Sequence, residues 1–399
     1  MKAGWQTNKL GEVCSFLNRG ISPKYLEEGG ICVLNQKCVR DHAVNFFLAR
    51  RHDNTAKRVS SDRLVQAGDV LINSTGTGTL GRVAQVRKAP IEPTTVDSHV
   101  TIARPLPGKF FSEFFGYMLI FIEEAIKKAG EGCGGQTELA RAVLAEKFSV
   151  TYPSSHSEQH RIVAILDEAF DGIATARANA EKNLHNARAL FESHLQSVFT
   201  QRGEGWIERS IGDICTLKSG TSVGVSLEKA KGEIPYVKVS DMTYAGNETE
   251  IVSSSRFLDM ADVGKNAVFP AGTTIFPKRG GAILTNKKRL TALPICADLN
   301  IMGVIPSGNL HPRLLYYYFL NVDMRLIGSG SSIPQINNYD IAPLKISFPE
   351  TQDEQEAILQ ILDNLSAETQ RLESLYQRKL AALDALKQSL LHQAFSGAL

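Results

Sequence analysis

Residues 153–168, PSSHSEQHRIVAILDE, and residues 349–364, PETQDEQEAILQILDN, are two copies of one segment and decide the architecture of this 399-residue chain. The copies lie 196 positions apart without a gap, and the match extends over residues 148–199 and 344–395. Matching landmarks are Pro153 and Pro349, Glu158-Gln159 and Glu354-Gln355, Leu166-Asp167 and Leu362-Asp363, Leu184 and Leu380, and Phe199 and Phe395. A period of about half the chain indicates a duplicated domain with its helix, because solenoid repeats recur every 20–50 residues or so.

The front of each half repeats less closely. Residues 10–16, LGEVCSF, align with residues 211–217, IGDICTL, and each stretch follows a tryptophan, Trp5 or Trp206. Between such anchors the two halves differ freely. Each half is therefore a constant frame around a variable interior, followed by a constant helix.

Size and composition are those of a globular protein with two domains. Hydrophobic residues make up 43% and charged residues 22%, and no apolar run approaches the roughly 20 residues that span a bilayer. The N-terminus lacks the apolar segment of a signal peptide. The six cysteines form no Cys-x-x-Cys pair. We therefore expect buried free thiols and a cytoplasmic location, without membrane contact.

Charge is distributed unevenly along the chain. The net charge is only +2, but residues 1–155 carry +5 and residues 201–350 carry +2, whereas residues 156–200 carry −2 and 351–399 carry −3. A basic surplus of this size suits a polyanionic partner and equally an ordinary solvated surface.

The periodicity changes at the two repeated segments. Before each one, short β-branched runs broken by Gly, Pro, Asn and Asp predict strands and turns, with one helix per half near 112–128 and 311–326. From Ser157 to Phe199, and again in the second copy, apolar residues recur every three to four positions, which predicts two long helices. We expect the two apolar stripes to pack on each other as an antiparallel coiled coil. The alternative is that each helix folds back on its own domain.

Two pairs of glycine-rich loops are candidates for ligand contact. Residues 76–81, GTGTLG, match a dinucleotide-binding fingerprint, but a β-branched run follows where that motif needs a helix. A hairpin loop fits better, small and polar at 73–78 and basic at 278–281, and its residue types suit phosphate and base-edge contacts. A plain surface turn is the alternative. The second pair, 132–137 and 328–335, differs in length and character, so the two need not contact a ligand alike.

Searches for catalytic motifs find none. No Asp/Glu-x-Lys triplet, no P-loop for ATP and no adjacent Pro-Pro of adenine methyltransferases occurs in the sequence. His156 and His160 stand four apart, but no further ligand follows at zinc-site spacing. The sequence predicts neither a catalytic site nor a metal site.

With these residues the chain resembles the specificity (S) subunit of type I restriction–modification enzymes over almost its whole length. The resemblance rests on the twofold repeat, on the Pro…Glu-Gln…Leu-Asp motif in both copies, and on the Leu/Ala helix behind each. It implies an α+β fold with two strand-rich target recognition domains, each followed by a long helix. Each domain would read one half of a bipartite DNA target, and the helices would set the spacer.

The resemblance also implies partners and cofactors. The chain would dock two modification (methyltransferase) subunits and, through them, restriction (motor/nuclease) subunits on double-stranded DNA. The chain would have no active site of its own, although it would be part of a complex of restriction endonuclease and adenine-specific DNA methyltransferase. S-adenosylmethionine, ATP and Mg²⁺ would bind only the partner subunits. The rival interpretations are a coiled-coil assembly protein without sequence-specific DNA binding and a stand-alone enzyme.

These inferences give a domain plan and two residue sets. The plan is a first recognition domain at 1–153, a central helix at 154–200, a second recognition domain at 201–349 and a C-terminal helix at 350–399. The expected DNA contacts are Lys37, Arg40, Thr75, Thr77, Arg82, Gln136, Lys238, Lys278, Arg279, Lys287 and Lys288. The expected docking residues on the helices are Leu184, Leu195, Leu380, Leu383, Leu386 and Leu390.

Overall fold

The computed structural model describes residues 4–130, 138–201, 203, 205–327 and 334–399. In the first half, the strands are β1 Trp5–Lys9, β2 Cys14–Arg19, β3 Tyr25–Leu26, β4 Ile31–Leu34, β5 Val39–Arg40, β6 Ala43–Val44, β7 Arg50–His52, β8 Val70–Asn73, β9 Val83–Gln85, β10 Thr94–Val96, β11 Val100–Pro105 and β12 Ser149–Pro153. The helices are α1 Leu10–Val13, α2 Ser112–Phe121, α3 Glu123–Gly130, α4 Arg141–Lys147 and α5 His156–Thr200. The helix expected at 112–128 is thus two helices separated at Ile122.

The second half repeats this order. Its strands are β13 Trp206–Ser210, β14 Cys215–Ser219, β15 Ile234–Val237, β16 Glu250–Ile251, β17 Phe257–Leu258, β18 Val268–Phe269, β19 Thr274–Pro277, β20 Arg289–Thr291, β21 Ile295–Ala297, β22 Ile301–Pro306 and β23 Lys345–Pro349. Its helices are α6 Ile211–Ile214, α7 Pro312–Asn321, α8 Asn338–Ile341 and α9 Gln352–Ser396.

The strand pairing shows that the duplication is structural. In both halves the first strand pairs antiparallel with the last, so that Trp5 lies opposite Pro153 and Trp206 opposite Pro349. The sheet β2-β11-β8-β9 of the first half corresponds to β14-β22-β19-β20 of the second, where β16 is added at the edge. A second sheet in each half, β10-β4-β7-β3 or β17-β15-β21-β18, differs more. The constant frame is therefore the first sheet and the strand pair that precedes the long helix.

The two long helices begin and end close to the predicted limits. Each begins just after the repeated proline, and at α5 the Ser155 hydroxyl accepts a hydrogen bond from Glu158 N at 3.4 Å. Both helices span 45 residues. At 1.5 Å per residue, each is about 68 Å long.

The chain divides into two compact units, and both long helices contribute to each. One unit comprises Met1–Ala180 and Arg378–Leu399, and the other comprises Glu181–Gln377. In the first unit, Arg177 pairs with Asp384 at 2.5 Å, and Arg161 donates to the carbonyl of Leu399. A later residue of α5 thus meets an earlier residue of α9, so the segments run antiparallel.

The second unit has the same arrangement. Arg188 pairs with Glu373 at 2.6 Å, and Leu195 packs in one apolar core with Leu359 and Leu362. The prediction that the helices pack on each other in antiparallel is confirmed.

Each unit is completed by the end of the helix from the other half. Leu391, Ala394 and Phe395 of α9 are buried in the first core beside Phe114 of α2. The first turns of α5 pack in that core as well. The alternative in which each helix folds back on its own domain therefore describes only the first turns of each helix.

The cysteines in the described part of the chain are free thiols, as expected. Cys32, Cys38, Cys215 and Cys296 are buried and Cys14 is half-buried. Burial raises the pKa of Cys14 and Cys215, which lie at matching places in the two halves, to about 12. These thiols are therefore unreactive packing residues at neutral pH.

Candidate DNA interface

The hairpin loop between β8 and β9 lies against the segment that follows the second predicted loop of the first half. Ser74 O accepts a hydrogen bond from Leu139 N at 2.8 Å, and Thr75 forms an antiparallel bridge with Glu138. Two further hydrogen bonds, between Ser74 and Thr101 Oγ1 and between Thr75 and His99 Nδ1, hold the hydroxyls of Ser74 and Thr75. Residues 131–137, including the predicted contact Gln136, lie outside the described part of the chain.

The second half builds the same bridge with different side chains. Lys278 O, just after β19, accepts from Ile336 N at 2.9 Å, and Arg279 forms an antiparallel bridge with Gln335. Ser74 and Thr75 therefore correspond in backbone structure to Lys278 and Arg279. At the bridge itself the first loop carries the Thr75 hydroxyl, and the second loop carries the Arg279 guanidinium at the same backbone position.

The predicted contacts of the first half lie on the β8–β9 loop, on the 3₁₀ turn beside it and on the β5–β6 hairpin. Thr77 is exposed at the loop tip, and the half-buried Arg82 donates to the carbonyl of Gly78 at 3.0 Å. Lys37 is exposed in a 3₁₀ turn, Gln36–Cys38, that lies against this loop. Arg40 is also exposed, at the tip of the β5–β6 hairpin. Hydrogen bonds thus join the Gln36–Cys38 turn and Arg82 to the loop that carries Thr77, and Arg40 lies on the hairpin that follows this turn.

The basic residues of the second half differ strongly in exposure. Arg279 is exposed and Lys287 is half-buried. Lys278 is 7% exposed, and its ammonium donates to Ser219 Oγ at 2.7 Å. Burial and the neighbouring Arg279 lower the pKa of Lys278. Lys278 therefore supports the loop from below in the free chain.

Lys288 and Lys238 are held by neighbouring groups. The Lys288 side chain is 2% exposed and donates to the Val322 carbonyl at 2.6 Å, and burial lowers its pKa to about 8. The Lys238 ammonium lies 2.6 Å from Glu228, whose carboxylate also pairs with Arg256. Four lysines of the second half were predicted to contact DNA. Three of them are buried or ion-paired, and the fourth is Lys287.

Three arginines that the sequence reasoning missed hold the loop base of the first half. Arg19 donates to Glu138 at 2.5 Å and to Leu139 O at 2.8 Å, and Arg63 donates to the carbonyl of Arg19 at 2.9 Å. Arg141 donates to the carbonyl of Leu17 in β2. These bonds fix residues 138–141 against the first sheet. No local sequence signal distinguishes these arginines from surface charges.

The repeated glutamine, whose role the sequence did not reveal, joins each domain to its helix. Gln159 and Gln355 are both 0% exposed. The amide of Gln159 accepts from Phe111 N at 2.7 Å and donates to Pro153 O at 2.9 Å. The amide of Gln355 accepts from His311 N and donates to Pro349 O, both at 2.8 Å. The motif is therefore a hydrogen-bonded joint.

A repeated aspartate forms a second joint about two helical turns further on. Tyr117 donates to Asp167 and Tyr317 donates to Asp363, each at 2.5 Å. Burial raises the pKa of Tyr117 to about 12 and raises that of Tyr317 as well. Both tyrosines therefore stay protonated donors at neutral pH, and each fixes the rotation of its helix about the domain.

The predicted docking leucines fall into three groups by exposure. Leu195 is buried in the core of the second unit, and Leu390 packs against the core of the first. Leu184, Leu380 and Leu383 are half-buried. Leu386 is 47% exposed, and Leu190, its counterpart 196 positions earlier, is 63% exposed.

The described residues contain no cluster of three or more His, Cys, Asp or Glu side chains placed to hold a metal ion. Within the same part of the chain, no helix combines the length and apolarity that crossing a membrane requires.

Comparison with known proteins gives one family and one fold. Residues 2–183 and 203–379 each match the family model described as the type I restriction modification DNA specificity domain. No curated protein matches the chain by sequence.

Two solved structures share the fold at low sequence identity. A structure described for complex assembly and conformational transition of the type I R-M system has a TM-score of 0.82 at 17% identity, covering 100% of this chain and 99% of its own. The HsdS subunit from Thermoanaerobacter tengcongensis has a TM-score of 0.60 at 18% identity, covering 100% and 98%.

Proposed function

Because the chain belongs to the type I restriction modification DNA specificity family, we propose that its two domains read the two halves of one split DNA target. The chain is the DNA specificity subunit of a type I restriction–modification system and the non-catalytic member of that complex. The finer proposal is that each domain binds one half-site and that neither domain reads the spacer between the two.

One observation carries the proposal: the same backbone bridge supports two loops with different side chains. Hydroxyl groups at Thr75 and Thr77 are short acceptors and donors, whereas the Arg279 guanidinium can form a bidentate contact with guanine or phosphate. A shared frame with unlike tips suits two different half-sites. We propose Thr75, Thr77, Arg82, Lys37 and Arg40 as contacts of the first domain.

For the second domain we propose Arg279 and Lys287 as direct contacts. Lys278 and Lys288 are buried, so we assign them to the support of that loop, and Lys238 to its ion pair with Glu228. We also retain Gln136 as a contact, on residue type alone, because glutamine pairs with adenine.

The test maps methylated adenines in cells with the intact gene, without it, and with Arg279→Ala. We expect a split motif that disappears with the gene, and Arg279→Ala should relax one half only. A lost bidentate contact costs about 1–3 kcal/mol, which is enough to admit a second base at one position. Lys287→Ala should instead weaken all sequences and reduce the salt slope by about one unit. A motif unchanged by Arg279→Ala would remove this residue from the proposal.

We further propose that the helix pair sets the spacer. Seven residues add about 10.5 Å to a helix and preserve its apolar stripe, and base pairs stack every 3.4 Å. Inserting seven residues after Glu181 in α5 and seven before Leu380 in α9 should therefore lengthen the spacer by about three base pairs. These points lie four residues beyond the Arg177–Asp384 pair on each helix. A spacer that stayed the same length would contradict the ruler.

Docking of two modification subunits is proposed at the matched exposed leucines Leu190 and Leu386. Exposed apolar side chains at equivalent places of a duplicated chain suit two copies of one partner. Leu190→Asp and Leu386→Asp should each reduce co-purification of the modification subunit, and together abolish it. Leu375→Asp is the matched control, since this leucine is 43% exposed on α9 but its counterpart is Asn179. Equal loss with the control would argue against specific docking. The restriction subunits would join through the modification subunits, in the cytoplasm.

A further inference from the structure

The first domain exposes an apolar turn, Phe46–Leu48, beside its candidate DNA contacts. The Phe47 side chain is 101% exposed, Leu48 is 47% exposed and Phe46 is 40% exposed. Aromatic rings usually contribute their large apolar area to a core or an interface. Three adjacent exposed apolar side chains of this kind are typical of a surface that meets a partner.

The turn is held in one conformation. Asn45 Oδ1 accepts from Phe47 N at 3.0 Å, and Ala49 N donates to Phe46 O at 3.1 Å, which closes a 3₁₀ turn. Phe46 lines a cleft beside Val44, and Val44 and Ala49 on either side of the turn pack against the apolar core. The exposure of Phe47 is therefore built into the turn.

Two buried asparagines connect this turn to the candidate contact loop. Asn35 accepts from Lys37 N at 2.8 Å and donates to Leu48 O at 3.2 Å. Asn73, at the base of the β8–β9 loop, donates to Gln36 O at 3.0 Å. Phe47, Lys37 and the loop are thus parts of one hydrogen-bonded surface.

The charge around the turn indicates the kind of partner. Residues 37–58 contain six Lys or Arg and two Asp, a net charge of +4. Lys37 is exposed, and the Arg40 side chain is 72% exposed. An apolar tip on a segment with this cationic surplus suits a polyanion whose interior is apolar and stacked, and duplex DNA has this construction. Lys37 and Arg40 are exposed beside the turn, where they can contact phosphates.

We propose that Phe47 is a wedge that enters between adjacent base pairs of the half-site read by the first domain. The basic residues beside it would hold the phosphates on either side, and the duplex would kink at the wedged step. Flexible pyrimidine–purine steps unstack at least cost, so this position would be selected by deformability and not by base-edge contacts. The inference rests on the proposed function. The second half has no Phe-Phe-Leu sequence, so only one half-site would be kinked.

The test uses the complex assembled from the full chain and its modification subunits. The probe is a duplex of about 40 base pairs that carries the target mapped by methylation, with a fluorescent donor and acceptor at its ends. Phe47→Ala should bind about tenfold or more weakly, since base–aromatic stacking is lost, and should abolish the change in energy transfer on binding. Phe47→Leu should retain most of the bend. Lys37→Ala should lower the salt slope of binding and keep the bend.

A second probe isolates the wedging step. Removing one base at the wedged position lowers the cost of unstacking. The wild-type complex should therefore bind this duplex more tightly, whereas the affinity of the Phe47→Ala complex should not change. Because Phe47 is fully exposed, its replacement should leave the midpoint of urea unfolding unchanged. This measurement checks that the variant folds.

Three results would overturn or relocate the inference. If the Phe47→Ala complex binds and bends the duplex as the wild-type complex does, the wedge is wrong while the proposed function stands. Phe47→Ala could fail to assemble with modification subunits while the complex that still forms bends DNA as much as the wild-type complex does. In that case the turn docks protein and the wedge is also wrong. If the wild-type complex does not bind its mapped target more tightly than a scrambled duplex, the proposed function itself fails.

Discussion

Replacing Gln355 by alanine should loosen the joint between the second domain and α9. Its buried amide accepts from His311 N at 2.8 Å and donates to Asn309 O at 2.9 Å and to Pro349 O at 2.8 Å. Alanine leaves one N–H and two carbonyl groups without this partner. A buried polar group that loses its partner costs about 1–3 kcal/mol. Because water can enter part of the space, we expect a loss of about 2–4 kcal/mol in the free energy of unfolding.

The tryptophan of the same half provides the assay. Trp206 pairs with Pro349, one of the two carbonyl acceptors of the joint, and the chain has only two tryptophans. In a Trp5→Phe background, the fluorescence of Trp206 therefore reports on this joint. With a urea slope of about 1–3 kcal/mol per molar, the unfolding midpoint should fall by about 1–2 M.

A neighbouring glutamine makes the matched control. Gln360 is exposed on α9, so Gln360→Ala removes the same side chain without touching the joint. If Gln355→Ala shifts the midpoint no further than Gln360→Ala, the amide does not hold the helix and the reasoning is refuted. Gln159→Ala, followed through Trp5, should have a somewhat smaller effect because its third hydrogen bond is 3.4 Å long.

Two further predictions concern the interior of each unit. Burial lowers the pKa of Lys288 from 10.5 to about 8, so the folded state is penalised where the amine is protonated. Relative to Lys288→Met, the wild-type protein should therefore gain about 3 kcal/mol in the free energy of unfolding as the pH rises from about 8 to 10.5. Urea unfolding of both proteins measures this difference. A difference that stayed constant across that pH range would contradict the burial of the amine. Phe395→Ala should destabilise the first unit by about 3–5 kcal/mol, followed through Trp5, because Phe395 is 4% exposed in a core with Phe114. No effect would mean that the end of α9 does not complete that core.

The prediction for Phe395 also changes how partner docking can be tested. Deleting residues 380–399 removes buried side chains of the first core, among them Leu391 and Phe395. Loss of partners after such a deletion would follow from unfolding as readily as from a lost docking surface. Point substitutions at the exposed Leu190 and Leu386 avoid this ambiguity.

The frame of the fold was predictable because its signals are periodic and occur twice. The helix expected from Ser157 to Phe199 is observed from His156 to Thr200, since its apolar stripe meets a partner along its length. The packing of the two helices on each other was predictable from two apolar stripes that match in length and register. The paired strands that carry Trp5 and Trp206 were visible as repeated anchors, although their pairing with Pro153 and Pro349 was not.

The remaining features depend on contacts between residues far apart in sequence. Lys278 and Arg279 are adjacent and chemically alike, yet one is buried against Ser219 and the other is exposed. Which of the two faces solvent is decided by the sheet beneath the loop, and no local pattern encodes it. The repeated Gln159 and Gln355 were visible as letters, but their partners lie 48 and 44 positions away.

The two copies differ in a way that explains how one frame can serve two specificities. What is repeated in detail, the buried glutamine and the tyrosine–aspartate pair, joins a domain to its helix. What differs lies at the loop tips, where main-chain hydrogen bonds from Leu139 or Ile336 fix the backbone whatever the side chain. Exchanging tip residues therefore leaves the frame's hydrogen bonds intact. If the loop tips contact DNA as proposed, a hydroxyl tip has a short reach and would require the backbone to approach DNA closely, which the glycines of the first loop permit. Arg279 could then contact DNA from further away.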